Sequence, residues 1–446
     1  MADVAVVGAG IGGLSSAARL AKLGHRVTVF ERRPTAGGRL HSVERDGFRW
    51  DAGPAATVLP AVLRDLFRKS GRPIERYLEL ELRTPTRRHV FADGAVVDLP
   101  TGSRADQIRA VDGGLGAGAG ASWTTFVDSQ AGVWDVFRRS PLGPDGPTDP
   151  VDDGLVAQLA MRRSVDQLLH RCLSDQRLRD MVGYRFVMGG SALRAVPAYA
   201  AMSAYVERSL GVWTCRGGLS ALGDALVGRL AERQVEIRYD TTVVRIVSDA
   251  RGVTGVEQED GAFWPASLVV AAVDPLRVFG ELVGRRGAKA VRVFSSATRV
   301  DPPSTTHLGL RQLDPVGMAA DIVLHGDPLI TVQTGGTAPA GHRAWTVRRR
   351  GGVSGEDVLA AMARRGVDVR GDVVARVDRT PSQIRAETGA AAYTIAWDSP
   401  RAQRRRSAFA NPLPGLHVLA APLTPDASIP EVVWTAAHVA NRIGKA

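Results

Sequence analysis

Asp3-Val4-Ala5-Val6-Val7-Gly8-Ala9-Gly10-Ile11-Gly12-Gly13 opens a chain of 446 residues, and Val27-Thr28-Val29-Phe30-Glu31 follows it. The two short apolar runs predict buried strands, and Gly12 to Leu23, rich in small residues and closed by Gly24, predicts a helix between them. This strand-helix-strand order is the entry to an open parallel sheet. Gly8, Gly10 and Gly13 form a G-x-G-x-x-G pattern at the turn. The first permits a tight bend, the second a close backbone approach to a pyrophosphate, and the third close packing of helix on strand. Ile11 and Gly12 begin the helix, whose free N–H groups favour an anion. Glu31 stands 21 residues after Gly10, where a carboxylate can accept hydrogen bonds from ribose hydroxyls, with Arg32 beside it. These features together predict a dinucleotide site.

Working outward, Gly37-Gly38-Arg39 pairs flexible backbone with a guanidinium, a combination suited to phosphates. A helical pattern is expected from Pro54 to about Gly71. The glycine- and proline-rich tracts Asp112 to Gly120 and Pro141 to Pro150 bracket an expected surface excursion. Leu155 to Tyr205 has helical spacing, and Asp224 to Glu232 predicts a helix. Strands are expected at Val235 to Tyr239, Val243 to Val247, Val253 to Gln258 and Leu268 to Val273. Thr306 to Leu310 and Leu329 to Gln333 predict strands of a second sheet, and Val353 to Arg364 a helix. The chain closes with an apolar run, Leu416 to Ala420, a turn, and a helix from Glu431 to Ile443 with Pro430 near its start.

Of the 57 basic residues, only Lys22, Lys69, Lys289 and Lys445 are lysines, and the 53 arginines are dispersed in short clusters. A formal charge of +11 without a basic block argues against nucleic acid and leaves a basic face suited to an anionic membrane surface. Cys172 and Cys215 fit neither a disulfide framework nor a metal spacing, so a reducing cytoplasm is expected, with contact at the membrane periphery. No apolar run reaches the ~18 residues needed to span a bilayer. No Ser-His-Asp set or zinc spacing appears, and His307 reads as a core histidine.

Gly47-Phe48-Arg49-Trp50-Asp51-Ala52-Gly53-Pro54, following Gly-Gly-Arg-Leu, resembles the bacterial phytoene desaturase type of carotenoid desaturase within the amine-oxidase-like flavoprotein superfamily. The resemblance continues through Gly211 to Gly218, Thr242 to Ile246, Ala271 to Pro275 and Gly415 to Val432. It covers residues 1 to 60, 165 to 280 and 380 to 446 well and 285 to 380 poorly. It implies FAD in an extended form: pyrophosphate on Gly8 to Gly13, ribose on Glu31, Gly38 and Arg39 near phosphates and flavin, Asp51, Ala52, Gly53 and Pro54 beside the isoalloxazine, and the Val243 backbone against adenine. Asp426 and Ile429 fall in the C-terminal flavin motif. There this sequence departs from the family, with Ala420, Pro422, Asp426 and Ser428 in place of four glycines. A displaced flavin, altered redox tuning and loss of FAD all remain open on that departure.

The expected architecture is α/β: a discontinuous Rossmann-like FAD-binding domain (residues 1–70, 215–285 and 411–446) with a second substrate domain of mixed sheet and helices (71–214 and 286–410). Tyr184, Phe186, Met188, Tyr199, Met202, Tyr205 and Trp213 lie on segments matching the family's substrate channel, whereas Glu207 and Arg208 read as a solvated face. No lysine stands where amine oxidases of the superfamily place one. The resemblance implies hydride transfer from a hydrophobic isoprenoid or natural-product substrate to flavin, with dioxygen or a quinone as acceptor. The alternatives are a flavin-dependent oxidase or isomerase of a secondary-metabolite intermediate, and a flavin-free descendant with non-redox function. No side chain stands out as a base.

Overall fold

The computed structural model describes residues 1–83, 87–143, 152–288, 291–292, 298–311, 321–353, 355–389, 394–396, 413–419 and 428–446. Its first layer is a five-stranded parallel sheet in the order Leu416–Val418, Leu268–Ala271, Asp3–Val7, Arg26–Phe30, Glu236–Arg238. Start, middle and end of the chain therefore meet in one sheet. Alternation along Asp3–Val7 explains its apolar run: Val4 and Val6 face one core, Ala5 and Val7 another. The first core is closed by the helices Ile11–Lys22, Pro60–Ser70, Ala221–Ala231 and Ile429–Ile443. The second is closed by an antiparallel meander, Val243–Ser248, Val253–Gln258 and Phe263–Pro265.

The second layer is a seven-stranded mixed sheet, ordered Val373–Arg379, Ser304–Arg311, His342–Arg350, Leu329–Thr334, Asp321–Leu324, Arg87–Val90, Val96–Leu99. Its two faces differ in chemistry. Leu308, Leu310, Ile322, Leu324, Ile330, Val332, Trp345 and Val347 make one face apolar, covered by the helix Val358–Ala363. Register places His307 beside Thr346, Thr305 beside Arg348 and Arg379, and Asp321 beside Gln333 on the other. That polar face is turned toward the first layer. Phe48 packs on Gly309, and the Trp50 indole N–H donates to the Leu308 carbonyl at 3.0 Å.

Two expectations change. The helix expected from Pro54 begins only at Pro60, because Leu59 takes a left-handed conformation with φ 55°. The stretch that the two tracts bracket is helical: Arg104–Leu115 and Ala119–Ser129 reach into Asp112 to Gly120, and Ala131–Arg139 follows. Two of the glycines in Asp112 to Gly120 serve close packing: a Cβ would stand 2.1 Å from the Val96 carbonyl oxygen at Gly114 and 2.4 Å from the Ile108 carbonyl oxygen at Gly120. Pro141 to Gly143 is described; the rest of the second tract lies outside the described residues.

The two-faced sheet predicts unequal responses. Leu324→Ala, on the fully buried apolar face, should lower unfolding free energy by about 2–5 kcal/mol. Thr331→Val, on the polar face, should change it by less than about 1 kcal/mol. Denaturant midpoints of the two variants check this, and equal losses would contradict it.

Candidate active site

The glycine turn is shaped by contacts that leave no room for side chains. A Cβ on Gly13 would lie 1.9 Å from the Gly8 carbonyl oxygen. The Gly-Gly-Arg segment docks directly on this turn: the Gly37 N–H donates to the Ala9 carbonyl at 2.9 Å, and a Cβ on Gly38, at φ +57°, would reach 2.9 Å from Gly10 Cα. Gly12 packs on Val432 and Leu419, seating the helix Ile11–Lys22 against the last helix. Glu31 braces the turn from below. One carboxylate oxygen accepts the Ala9 N–H at 2.7 Å and the other the Arg33 N–H at 3.0 Å, and an ionised carboxylate keeps further lone pairs for a ligand.

Other sequence-predicted residues are placed differently from one another. Arg39, Pro54, Ile11 and Ile429 line one large cavity, while Ala52 and Gly53 border a smaller one shared with Arg39. Asp51 acts as a structural tie. Its oxygens accept the Leu219 and Ser220 N–H groups, each at 2.8 Å, and so join this strand to the helix Ala221–Ala231. Arg32 points to the Ala386 carbonyl at 3.3 Å, toward the helix Pro381–Thr388. The Val243 side chain is buried, and its carbonyl accepts from Arg277 at 3.3 Å. Asp426, with Ala420 and Pro422, lies outside the described residues.

The large cavity has a volume of about 320 Å³ and reaches from this turn to the polar face of the second sheet. Of the expected channel residues, Tyr184 and Met188 line it. Phe186 packs instead in the helical core, and Tyr199 and Met202 pack around Phe137 and Trp434. Tyr205 packs against the helical core, and Trp213 is half-buried in a strand pairing Leu80–Leu82. Glu207 and Arg208 are not solvated. Glu207 faces the cavity between Arg87 at 2.9 Å and Arg185 at 2.7 Å, and Arg208 is buried on Asp128 at 2.6 Å. Burial raises the Glu207 pKa, but Arg185 and Arg87 overrule it and hold the carboxyl down at about 2. Burial pushes the Tyr184 phenol up to about 12.

Sequence reasoning missed Arg87, Arg185, Asp321, Gln333 and Arg348 on this cavity. The run Arg348-Arg349-Arg350 carries a signal, since a strand sends alternate residues of such a run to one face. The arginine-rich composition masked it. His307, fully buried, bonds Thr346 Oγ1 through Nδ1 at 3.1 Å and leaves Nε2 without a partner.

Three features fit a flavin dinucleotide. The glycine cradle admits backbone contact with a ligand, the helix Ile11–Lys22 starts at Gly10 without a side-chain cap, and Arg379 Nη1 is buried without a partner beside Gly53 and Arg39. An anionic, hydrogen-bonding ligand satisfies all three.

Burial, reinforced by neighbouring arginines, lowers His41 to about 4 and His307 to about 3; His325 is likewise lowered to about 3. The unfolded chain therefore binds more protons below the ordinary histidine value of ~6.5, and stability falls as the pH falls. The loss at pH 5 should be about 2 kcal/mol for each of these histidines. The same sign continues from about 4.5 to 2 through Glu207, whose lowered pKa stabilises the fold above that range. Thermal midpoints between pH 8 and 5 should fall on acidification; a flat or rising profile would refute the burial of neutral histidines.

Comparison with known proteins places this geometry. Residues 11–278 match the family described as flavin containing amine oxidoreductase. Hydroxyneurosporene desaturase of Cereibacter sphaeroides is 32% identical over 329 residues, 68% of this chain and 65% of that protein. The 4,4'-diapolycopene oxygenase of a Methylomonas species is 29% identical over 336 residues, 70% and 63% of the two chains. The chain thus spans slightly less than two thirds of these relatives. Among solved structures, putrescine oxidase bound to putrescine superposes with a TM-score of 0.70 at 17% identity, covering 99% of this chain and 98% of that one. Cyclohexylamine oxidase from Brevibacterium oxydans gives 0.68 at 16%, with 99% of each chain covered. The fold is that of these oxidases, FAD is the cofactor, and the chain belongs to the flavin containing amine oxidoreductase family.

Proposed function

We propose that the chain is an FAD-dependent dehydrogenase or desaturase that removes a hydride from a hydrophobic substrate of isoprenoid or natural-product type. The observation that carries this is a cavity lined both by residues at the cofactor turn, Ile11 and Arg39, and by the second sheet. The similarity to carotenoid desaturases and oxygenases supports the substrate class. In this reading residues 1–70, 215–285 and 411–446 form the cofactor domain and 71–214 and 286–410 the substrate domain, supported by the two sheets.

Bound FAD supplies a two-electron acceptor for a C–H bond. The chain's own residues bind and orient. Gly8, Gly10, Ile11, Gly12 and Gly13 offer backbone N–H groups to the pyrophosphate, Glu31 the ribose contact, and Gly38 and Arg39 the phosphate side. Ala52, Gly53, Pro54 and Ile429 border the reacting region, and Ile11, Pro54 and Val432 keep that wall apolar and dry. Asp51 holds the segment in place. Dioxygen or a quinone closes the redox balance. Among the described residues no helix is long and apolar enough to cross a membrane, and a basic surface meeting anionic lipid is the route proposed to an apolar substrate.

A second reading, oxidation or isomerisation of a compact secondary-metabolite intermediate, is favoured by the cavity itself. Its volume of about 320 Å³ sits near the low end of the ~300–1,000 Å³ of ligand pockets, and charged groups converge on it.

The visible absorption of the freshly purified protein tests both readings. About one FAD per chain is expected, with bleaching under anaerobic addition of the true substrate, an acyclic carotenoid precursor in the first reading. A colourless protein that takes up no added FAD would sink both and leave a flavin-free descendant. Gly38→Val should release flavin on gel filtration, with at least tenfold weaker retention, because its side chain collides with Gly10.

A further inference from the structure

The charged groups that line the large cavity are already engaged within the protein. Arg87 meets Glu207 at 2.9 Å and Asp321 at 3.7 Å, and Glu207 also meets Arg185 at 2.7 Å. Arg83 holds Asp321 at 2.6 Å, and Arg348 donates to Gln333 and to the Gly53 carbonyl. A charged ligand would have to draw one of these buried groups from a partner in place, which is costly. What the wall leaves over is neutral. Among the described residues the Tyr184 phenol, the Thr331 hydroxyl and the Gln333 amide NH2 have no hydrogen-bond partner, and all three residues line the cavity. The orientation of Gln333 follows from chemistry: Arg348 offers only donors, so Oε1 faces it and the NH2 group is turned elsewhere.

Strand register gathers the three groups on one patch. Thr331 and Gln333 stand two apart on the strand Leu329–Thr334 and share its inner face, where Thr331 lies opposite Val323 of the neighbouring strand. Tyr184, from the helix Gln176–Met188, packs on Val323 and Leu329, the cross-strand and same-face neighbours of Thr331. Tyr184 is only 9% exposed, and the Arg87 and Arg185 guanidinium groups stand 5.2 and 5.6 Å from its ring centre. Burial pushes the phenol up to about 12, so it stays protonated and donates. Elsewhere in the cavity Ile11, Pro54, Ile429 and Val432 are apolar.

We propose that Tyr184, Thr331 and Gln333 form a subsite for a neutral oxygen, carbonyl or hydroxyl, on an otherwise apolar substrate. The word substrate rests on the oxidoreductase reading, whereas the subsite itself does not. Each of the three groups can donate, and either kind of oxygen has two lone pairs to accept. Water can fill these donors in the free protein, and a ligand oxygen replaces it with hydrogen bonds of the same kind. A bare hydrocarbon displaces the water and leaves the polar groups unmet, which costs it affinity.

Titration of the purified protein with four probes of one carbon skeleton tests the subsite: ethylbenzene, 1-phenylethanol, acetophenone and phenylacetate. Ethylbenzene is the most hydrophobic and binds tightest wherever apolar burial alone decides. Here acetophenone or 1-phenylethanol should bind at least as tightly as ethylbenzene, and the stronger of the two identifies the oxygen. Tyr184→Phe, which keeps the ring between its guanidinium groups, should weaken that probe about fivefold and leave ethylbenzene within about twofold. Thr331→Val should act in the same direction. In the unsubstituted protein the proposal is overturned if ethylbenzene binds tighter than both oxygenated probes, if phenylacetate binds tighter than either, or if no probe binds. An undiminished oxygen preference in folded Tyr184→Phe overturns it too. Flavin content measured on the same sample separates the two ideas. Preference for an oxygenated probe in a protein that takes up no FAD would sink the oxidoreductase reading and leave the subsite standing, whereas bound flavin without that preference would sink the subsite alone.

Discussion

Backbone contact without side chains holds this molecule's working parts together. Gly38 rests on Gly10, the Gly53 Cα approaches the Arg39 carbonyl so closely that a Cβ would stand 2.0 Å from the oxygen, and the Gly53 carbonyl accepts from Arg348 on the second sheet. A short run of main chain therefore links the dinucleotide turn to the floor of the cavity. Glycine is required at Gly38 because both distance and a positive φ exclude anything larger. The cost of that flexible backbone is offset by Glu31, which fixes the turn through two N–H groups in a buried setting.

The second sheet answers a different constraint. A sheet packed on one side and facing a cavity on the other is free to carry charge where water or ligand completes it. Its apolar face takes the ordinary hydrophobic stabilisation, while Arg87 and Asp321 on its inner face meet ion-pair partners from outside the sheet, Glu207 of the helix Ser203–Leu210 and Arg83. Such pairing limits the desolvation penalty, since each of these buried charges has an opposite neighbour.

The parts legible in the sequence were those whose physics is local. Strand, turn and helix at Asp3 to Leu23 follow from apolar runs and glycine spacing within one unit, and the observed elements differ only at their ends. Glycine is ambiguous elsewhere: at Gly120 it marks helix-on-helix approach, and sequence gives the same symbol to a loop. Glu207 was misjudged because its partner Arg87 lies 120 residues away, and only the fold shows that they meet. The Asp51 carboxylate likewise found N–H donors 168 and 169 residues on. The FAD expectation survived because its residues cluster in the first 54 positions, whereas the altered C-terminal motif falls mostly outside the described residues.

The segregation of charge in the cavity bears on how a weakly functionalised substrate can be oxidised at one carbon. A hydrocarbon body offers no directional contact, so apolar walls alone leave it free to slide by one bond. Ile11, Pro54 and Ile429 make one wall of this cavity apolar, while Arg87, Glu207 and Arg185 line it elsewhere. The residues that match the family, 11–278, take in the cofactor side, whereas the second sheet, which contributes Asp321, lies largely beyond them.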